Sequence, residues 1–575
     1  MSRNNSHTSP SLGRLNFMAV TLLLIGVVFL GRLFQLQVIN GQQYREQADS
    51  GQITSLTIPA SRGQVYAQRD GQRVPLVLNA REWLLFSDTA FIESRSQLID
   101  TLEQNNIFIT SFQKDQLDTD NRYVVLAQDI QDELKQSIED SGVKGLYFQP
   151  QNTRNYSEGS LAAHVLGFVN NDGSGQYGVE EFFDQELTGT NGQLRAVTDA
   201  NGVPLAFEQN NILVEPVDGQ DVTLTIDVDT QQIVESALRS ATDRLSAQGA
   251  SGVVLDAETG KVLAMANYPT FEPQNFEQVG DVSLFDNPAI SDAVEPGSAL
   301  KTLVAAAALD TGAVDADYSY FDDGSVVLDE ATVTNAINYS AQDRSFTDIL
   351  RLSLNTGSIN LLAQLGGGQV NEQARTTLYS YLTEAHGLGQ ATGIQLPNES
   401  SGIISGPNDG FGLNIRYGNI TFGQGLTLTP LQLAAAYIPI VNDGLRYKPY
   451  IIESVGDSIS RPELVTGDTS ISPQTSASIR EVLDDVAQTN YPTVQVDGLE
   501  ISGKTGTAQI PDGQGGYQAD GFTGTFAGYI RSDNTNLVIA VKIDEPQGVR
   551  FAGTDAARPL WQDIVSGLLN AGKVR

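Results

Sequence analysis

The chain alternates apolar runs with mixed polar stretches, and the period of each run predicts an element. Residues 17–30 are apolar apart from Thr21 and Gly26. Fourteen residues is short for a membrane span and suits a signal-peptide core. No small-x-small cleavage site follows, however; the chain continues Gly31-Arg32-Leu33-Phe34-Gln35-Leu36. From Arg14 to Arg32 a helix extends about 27 Å, and both arginines can reach the interfaces. The pattern predicts an uncleaved single-pass anchor over residues 15–36 behind a cytoplasmic tail of residues 1–14. A cleaved signal and a buried helix are the alternatives. The charge bias behind that orientation is weak, because Arg32 and Arg45 lie on the far side.

Residues 37–216 mix strand and helix patterns without a repeat. Leu56-Thr-Ile-Pro-Ala-Ser-Arg62-Gly63-Gln64-Val65-Tyr66 reads as strand, turn, strand, and residues 130–141 as an amphipathic helix with interleaved acids. Residues 155–202, rich in Gly and Asn, read as turns between short elements. Nothing there has catalytic spacing, which leaves architecture and partner contact as its purpose. A second domain is expected over residues 217–575. Residues 221–227 alternate as a strand and 230–245 follow as an amphipathic helix. Two apolar stretches flank Ala257-Glu-Thr-Gly260, a hairpin signal. Residues 346–388 are mainly helical, and strands return beyond Pro449, notably over 521–530 and 536–543. Strands, then helices, then strands predict an α+β domain whose terminal strands meet in one antiparallel sheet flanked by helices.

The most apolar helix pattern starts near Ser298 in Glu295-Pro-Gly-Ser298-Ala-Leu-Lys301 and stops at Asp310-Thr311-Gly312. Apolar on nearly every face, it is expected to be buried. Ser298 and Lys301 lie three apart, on one face within one turn. A serine hydroxyl needs a neighbouring base, and a desolvated lysine can have its pKa lowered enough to serve. The helix start adds free N–H groups where an oxyanion could develop. The bland alternative is a capped helix carrying a solvated lysine.

Charge and residue inventory narrow the chemistry. The 34 basic and 69 acidic residues give a net charge of −35, which argues against nucleic acid as a partner. There is no cysteine, and of the three histidines His7 lies in the tail, leaving His164 and His386. No metal or cofactor is expected from so few ligands, and a serine-histidine hydrolase has little to draw on. A lysine base fits better. Two more motifs supply partners: Ser353-Leu354-Asn355 in a small-residue turn, and Lys504-Thr505-Gly506-Thr507 on a strand. Lysine is scarce, with nine in the chain, and two of the nine fall inside this ordered series.

With these motifs the sequence resembles a class B penicillin-binding protein, a monofunctional peptidoglycan D,D-transpeptidase whose motif set is Ser-x-x-Lys, Ser-x-Asn and Lys-Thr-Gly. The likeness extends to Leu33-Phe-Gln-Leu-Gln37, the Arg62-Gly63 turn, Gly178-Val-Glu-Glu181, Leu224-Thr-Ile-Asp227, Phe422-Gly-Gln-Gly425 and Thr429-Pro-Leu-Gln432. One departure is Tyr66-Ala-Gln-Arg-Asp70-Gly71, where the family usually places an Asp-Arg pair nearer the glycine. The resemblance implies an anchor, an elongated pedestal of the dimerisation type and a penicillin-binding transpeptidase domain. It implies that Ser298 attacks a D-Ala-D-Ala stem terminus, with Lys301 as general base. It further implies that Ser353 relays a proton and Asn355 holds the substrate amide. Lys504, Thr505, Gly506 and Thr507 would bind the terminal carboxylate, and the Ser298 and Thr507 N–H groups would form the oxyanion hole. Implied partners are peptidoglycan stem peptides, β-lactam inhibitors, a SEDS-family membrane glycosyltransferase and other divisome or elongasome proteins. The chain would sit in the cell membrane with its catalytic domain outside. A D,D-carboxypeptidase or β-lactamase-like hydrolase, and a catalytically silent β-lactam-binding scaffold, are the rival readings.

Overall fold

The computed structural model describes residues 12–40, 53–119, 122–197, 212–465, 470–513 and 516–574. Most of the expected tail, residues 1–11, lies outside them. Leu12–Phe34 forms one α-helix, and Gln35–Ile39 continues it as a wider π-turn closed by Asn40 N–H on the Gln35 carbonyl at 2.8 Å. The apolar stretch runs from Asn16 to Ile39, 24 residues with a mean hydropathy of 2.3 in its best window. That is long and apolar enough to cross a membrane. It reaches three residues beyond the predicted 36 because Val38 and Ile39 keep the apolar face going past the polar Gln35 and Gln37.

The chain forms two compact units. One comprises residues 1–61 and 189–218. Its strands Ile53–Ile58, Gly192–Val197 and Ile212–Val214 make a three-stranded antiparallel sheet. Thr190 and Val217 exchange backbone hydrogen bonds of 2.8 and 2.9 Å, and Ser61 N–H is held by Asp218 Oδ1 at 2.8 Å.

The second unit comprises residues 62–188 and 219–575. Its first sheet runs in the order Ser458–Ile459, Ile452–Val455, Val222–Asp227, Val65–Arg69, Gln72–Ser87, Val124–Ile130, with Leu146–Tyr156 also paired to Gln72–Ser87. Val222–Asp227 lies parallel to Val65–Arg69, so this sheet combines strands from both sides of residue 217. Gly63 sits where the two backbones touch; a Cβ there would lie 1.9 Å from the Gln220 carbonyl oxygen. Glu180, fully buried, accepts from Arg62 Nε at 2.8 Å and from Arg154 Nε at 2.9 Å. Two guanidinium groups on one carboxylate satisfy a charge that would be costly alone. A small separate core of Leu85, Leu98, Leu102, Leu126 and Ile138 closes the far part of this sheet.

The second sheet holds the chemistry. Its strands are β1 (Gly249–Asp256), β2 (Val262–Tyr268), β3 (Glu500–Pro511), β4 (Tyr517–Arg531) and β5 (Asn536–Asp544). All pair antiparallel in the order β2-β1-β5-β4-β3, leaving β3 at an edge. The expected meeting of early and late strands is therefore present, with Val253 of β1 opposite Ala540 of β5. Helix α1 (Lys301–Asp310) is the buried helix foreseen in the sequence; Leu303 through Ala308 are wholly inaccessible. The sequence led us to expect one helix from Ser298. Instead Gly297–Leu300 forms a tighter 3₁₀ turn before α1 begins. Gly297 has φ of +57°, and a Cβ there would lie within 2.6–2.8 Å of the Thr507 backbone, so the chain must turn sharply under β3. Helices α2 (Phe346–Arg351) and α3 (Asn355–Leu365) flank a short turn that carries the second motif.

Candidate active site

Three elements converge on one cavity of about 300 Å³: the 3₁₀ turn before α1, the turn between α2 and α3, and strand β3. Ser298 is held by its neighbours' backbone. Gly297 N–H donates to the Gly423 carbonyl at 3.1 Å, Thr525 Oγ1 donates to the Pro296 carbonyl at 2.7 Å, and Tyr437 OH donates to the Ala299 carbonyl at 2.7 Å. Gly506 is required beside this turn, since a Cβ there would lie 2.0 Å from the Pro296 oxygen. Just upstream, Glu295 Oε1 accepts from Gly425 N–H at 2.8 Å and from Tyr517 OH at 3.0 Å.

Lys301 is 1% exposed, and its Nζ lies 2.6 Å from the Ser353 carbonyl, 2.7 Å from Asn355 Oδ1 and 3.3 Å from Ser353 Oγ. Burial, and then the positive charge of Lys504, push its pKa well below the ordinary lysine value. A neutral amine has two N–H groups, enough for the carbonyl and the amide oxygen. That leaves its lone pair free to accept a proton. Ser353 adopts φ of +55° without being glycine, a strained backbone of the kind that collects at functional turns. Asn355 is fixed by its Nδ2 donating to the Thr334 carbonyl at 3.0 Å.

Lys504 is 3% exposed and donates to Ser353 Oγ at 3.1 Å and to the Thr505 carbonyl at 3.1 Å. Burial lowers its pKa to about 7. On β3, alternate side chains take opposite faces. Thr505, Thr507 and Gln509 line the cavity, while Lys504 lies behind Ser353 rather than on the cavity wall. Thr507 Oγ1 also accepts from Gly553 N–H at 2.8 Å.

The three motifs singled out in the sequence thus lie together. The aromatic lining was missed: Phe522 and Phe551 wall the cavity with Ile337, and Phe422 and Gln424 complete it. Phe422-Gly-Gln-Gly425 carried resemblance only; its structural signal is Gly423, whose φ of +82° lets it press against Gly297. Phe522 and Phe551 have no motif of their own. Among the described residues no group of three or more acidic or histidine side chains could hold a metal. His164 and His386 are buried, bonded to the backbone carbonyls of Leu284 and Ala436, and burial pushes both down to about 4.

Comparison with known proteins agrees with this geometry. Residues 250–566 match the penicillin-binding protein transpeptidase domain and residues 57–224 the penicillin-binding protein dimerisation domain. Penicillin-binding protein PbpB of Mycolicibacterium smegmatis is 32% identical over 96% of this chain and 90% of its own. Peptidoglycan D,D-transpeptidase FtsI of Escherichia coli is 27% identical over 99% and 93%. The crystal structure of penicillin-binding protein 3 from Mycobacterium tuberculosis, complexed with aztreonam, superposes with a TM-score of 0.66 at 30% identity, covering 90% of this chain and 98% of that one. The chain belongs to the penicillin-binding protein transpeptidase family, as a class B member with a dimerisation domain ahead of the transpeptidase domain.

Proposed function

We propose that the protein cross-links peptidoglycan stem peptides by acyl transfer, with Ser298 as the nucleophile. The single observation that carries the reading is the chain Lys301–Ser353–Lys504, in which two buried lysines share one serine hydroxyl at the cavity. Lys301, kept neutral, takes the Ser298 proton as Oγ bonds to the carbonyl carbon of the penultimate D-alanine. The oxyanion is held by the Ser298 and Thr507 N–H groups. Ser353 relays that proton from Lys301 to the departing amine, the C–N bond breaks and D-alanine leaves. An amine of a neighbouring stem then attacks the ester carbonyl, Lys301 moves one of its protons to the Ser298 oxygen as the ester C–O bond breaks, and the cross-link remains. Asn355 holds the substrate amide. Thr505 and Thr507, on either side of Gly506, receive the terminal carboxylate on the cavity wall, and Lys504 supplies the charge behind them.

In this reading residues 1–14 are the cytoplasmic tail, 15–36 the anchor, 37–216 the pedestal and 217–575 the transpeptidase domain. The catalytic domain faces outward, and the working partner is a SEDS-family glycosyltransferase within the division machinery. The family's FtsI and PbpB relatives favour division over elongation. Reconstitution with a glycan polymerase and lipid-linked precursor tests the reaction: cross-linked muropeptides are expected, and their loss on adding penicillin. Release of D-alanine without cross-links would instead mark a carboxypeptidase. Septal fluorescence of a fusion protein tests the division role against a dispersed pattern.

A further inference from the structure

A second cavity, of about 750 Å³, begins where the catalytic one ends, and Gln509 of β3 lines both. Ala508, Gln509, Ile510 and Pro511 form one of its walls, so a single edge strand runs from Lys504 through the catalytic cavity into the second. Before Lys504 that edge is capped: Tyr491 OH donates to the Gly503 carbonyl at 2.6 Å and accepts from its N–H at 2.8 Å. The strand period places the N–H and C=O of Thr507 and Gln509 on that same side, facing the cavity. An extended peptide laid antiparallel along this edge, with its carboxylate at Thr505, has its acyl carbonyl near Thr507. Its upstream residues then run toward Gln509, roughly 13 Å of strand from Thr505.

The second cavity is built for positive charge. Asp281, Asp286, Asp292, Glu295, Asp544 and Glu545 line it against one lysine, Lys542. Lys542 is itself buried and paired with Asp292 and Asp544. Two buried acceptors in the lining have no hydrogen-bond partner among the described residues: Glu295 Oε2, on a residue 7% exposed, and Asn267 Oδ1, on a residue 5% exposed. Such atoms call for a donor, and an ammonium brings three N–H groups and a charge. The reaction supplies one. Cross-linking consumes an amine of one stem, and because donor and acceptor are copies of one polymer, every uncross-linked stem carries it.

Resting on the transpeptidase reading above, we infer that this acidic cavity is a subsite for the free side-chain ammonium of a peptidoglycan stem, entered along the edge of β3. The ammonium belongs either to the donor being acylated or to the acceptor waiting to attack, and kinetics separate the two.

The full-length protein in detergent is first acylated with benzylpenicillin, which carries no ammonium. Failure here would refute the catalytic reading, not the subsite. It is then acylated with a D-Ala-D-lactate depsipeptide donor whose upstream residue has a free side-chain ammonium, and with the same donor acetylated on that nitrogen. In a separate arm the acetylated donor is used, and aminolysis is followed against acceptor-peptide concentration. Each arm is repeated with Glu295→Gln and with Asp286→Asn/Glu545→Gln, whose altered carboxylates lie nearer the solvent. A donor site gives about a tenfold preference for the free over the acetylated donor, collapsing toward one in both variants. An acceptor site leaves that ratio near one and raises the acceptor KM about tenfold in both variants. Because each readout is a ratio or a KM, a general loss of active enzyme does not mimic either result. A donor ratio near one with an unchanged acceptor KM in both variants overturns the inference.

Discussion

Lys301 Nζ lies 2.6 Å from the carbonyl oxygen of Ser353, a residue whose left-handed backbone turns that oxygen toward it. The second motif therefore serves the first through its main chain as well as its side chain. With Asn355 Oδ1 at 2.7 Å, it takes up two lysine donors and fixes where the lone pair of a neutral amine points. The network accounts for a buried lysine whose hydrogen bonds go to a carbonyl, an amide and a hydroxyl oxygen among the described residues.

Removing that amine should slow penicillin acylation by a factor on the order of 10² to 10⁴, the usual loss for a general base. Lys301→Ala is the variant, stopped-flow acylation the measurement, and an unchanged thermal unfolding midpoint the control. An unaltered acylation rate would make Lys301 structural.

The two lysines set a pH profile. The proposed mechanism needs Lys301 neutral, so kcat/KM should rise as pH climbs through its lowered pKa. The same mechanism needs Lys504 charged to attract a carboxylate, so the rate should fall as pH passes the Lys504 pKa of about 7. The pair titrates together, and the profile reports apparent values for the pair. Lys504→Arg keeps its charge at all these pH values, so the falling limb should disappear for whatever activity survives. An esterified β-lactam should show a much weaker falling limb than its free acid. Equal limbs for acid and ester would move Lys504 away from carboxylate recognition.

Gly506 separates sequence from space. It lies outside the Ser-x-x-Lys motif, yet a Cβ there would stand 2.0 Å from the Pro296 oxygen and 2.2 Å from Thr525 Oγ1. Gly506→Ala should push the Ser298 turn off its register and cost about 10²-fold in acylation, the penalty of a displacement near 1 Å. Circular dichroism should show a folded protein. Near-normal acylation would mean the turn can yield.

How far the site could be read beforehand follows from the same residues. Ser298, Lys301, Ser353, Asn355 and Lys504 were visible because their chemistry is rare in this chain and their order is specific. The buried helix was visible because Leu303 through Ala308 are apolar in every direction. The 3₁₀ turn at Gly297–Leu300 was not, because its cause is the Thr507 backbone, 210 residues away in sequence. Phe522 and Phe551 were hidden for a similar reason: an aromatic on a strand looks the same whether it faces a core or a cavity. The pairing of Val222–Asp227 with Val65–Arg69 was also out of reach, since a strand's pattern names its faces and not its neighbours.

The membrane segment makes a separate prediction. All three motifs lie beyond residue 219, so a form lacking residues 1–40 should still bind penicillin. It should nonetheless fail to support growth in place of the native protein, even when exported. An unrelated span should restore attachment but only part of the function, because helix–helix contacts are specific. Complementation growth curves measure both, and full rescue by the exported soluble form would remove the membrane from the account.

The most direct test of the central claim is mass spectrometry of the protein after brief exposure to benzylpenicillin. The account predicts one penicilloyl adduct per chain, on the peptide containing Ser298, and none in Ser298→Ala. An adduct on any other residue, or unchanged labelling of Ser298→Ala, would contradict it.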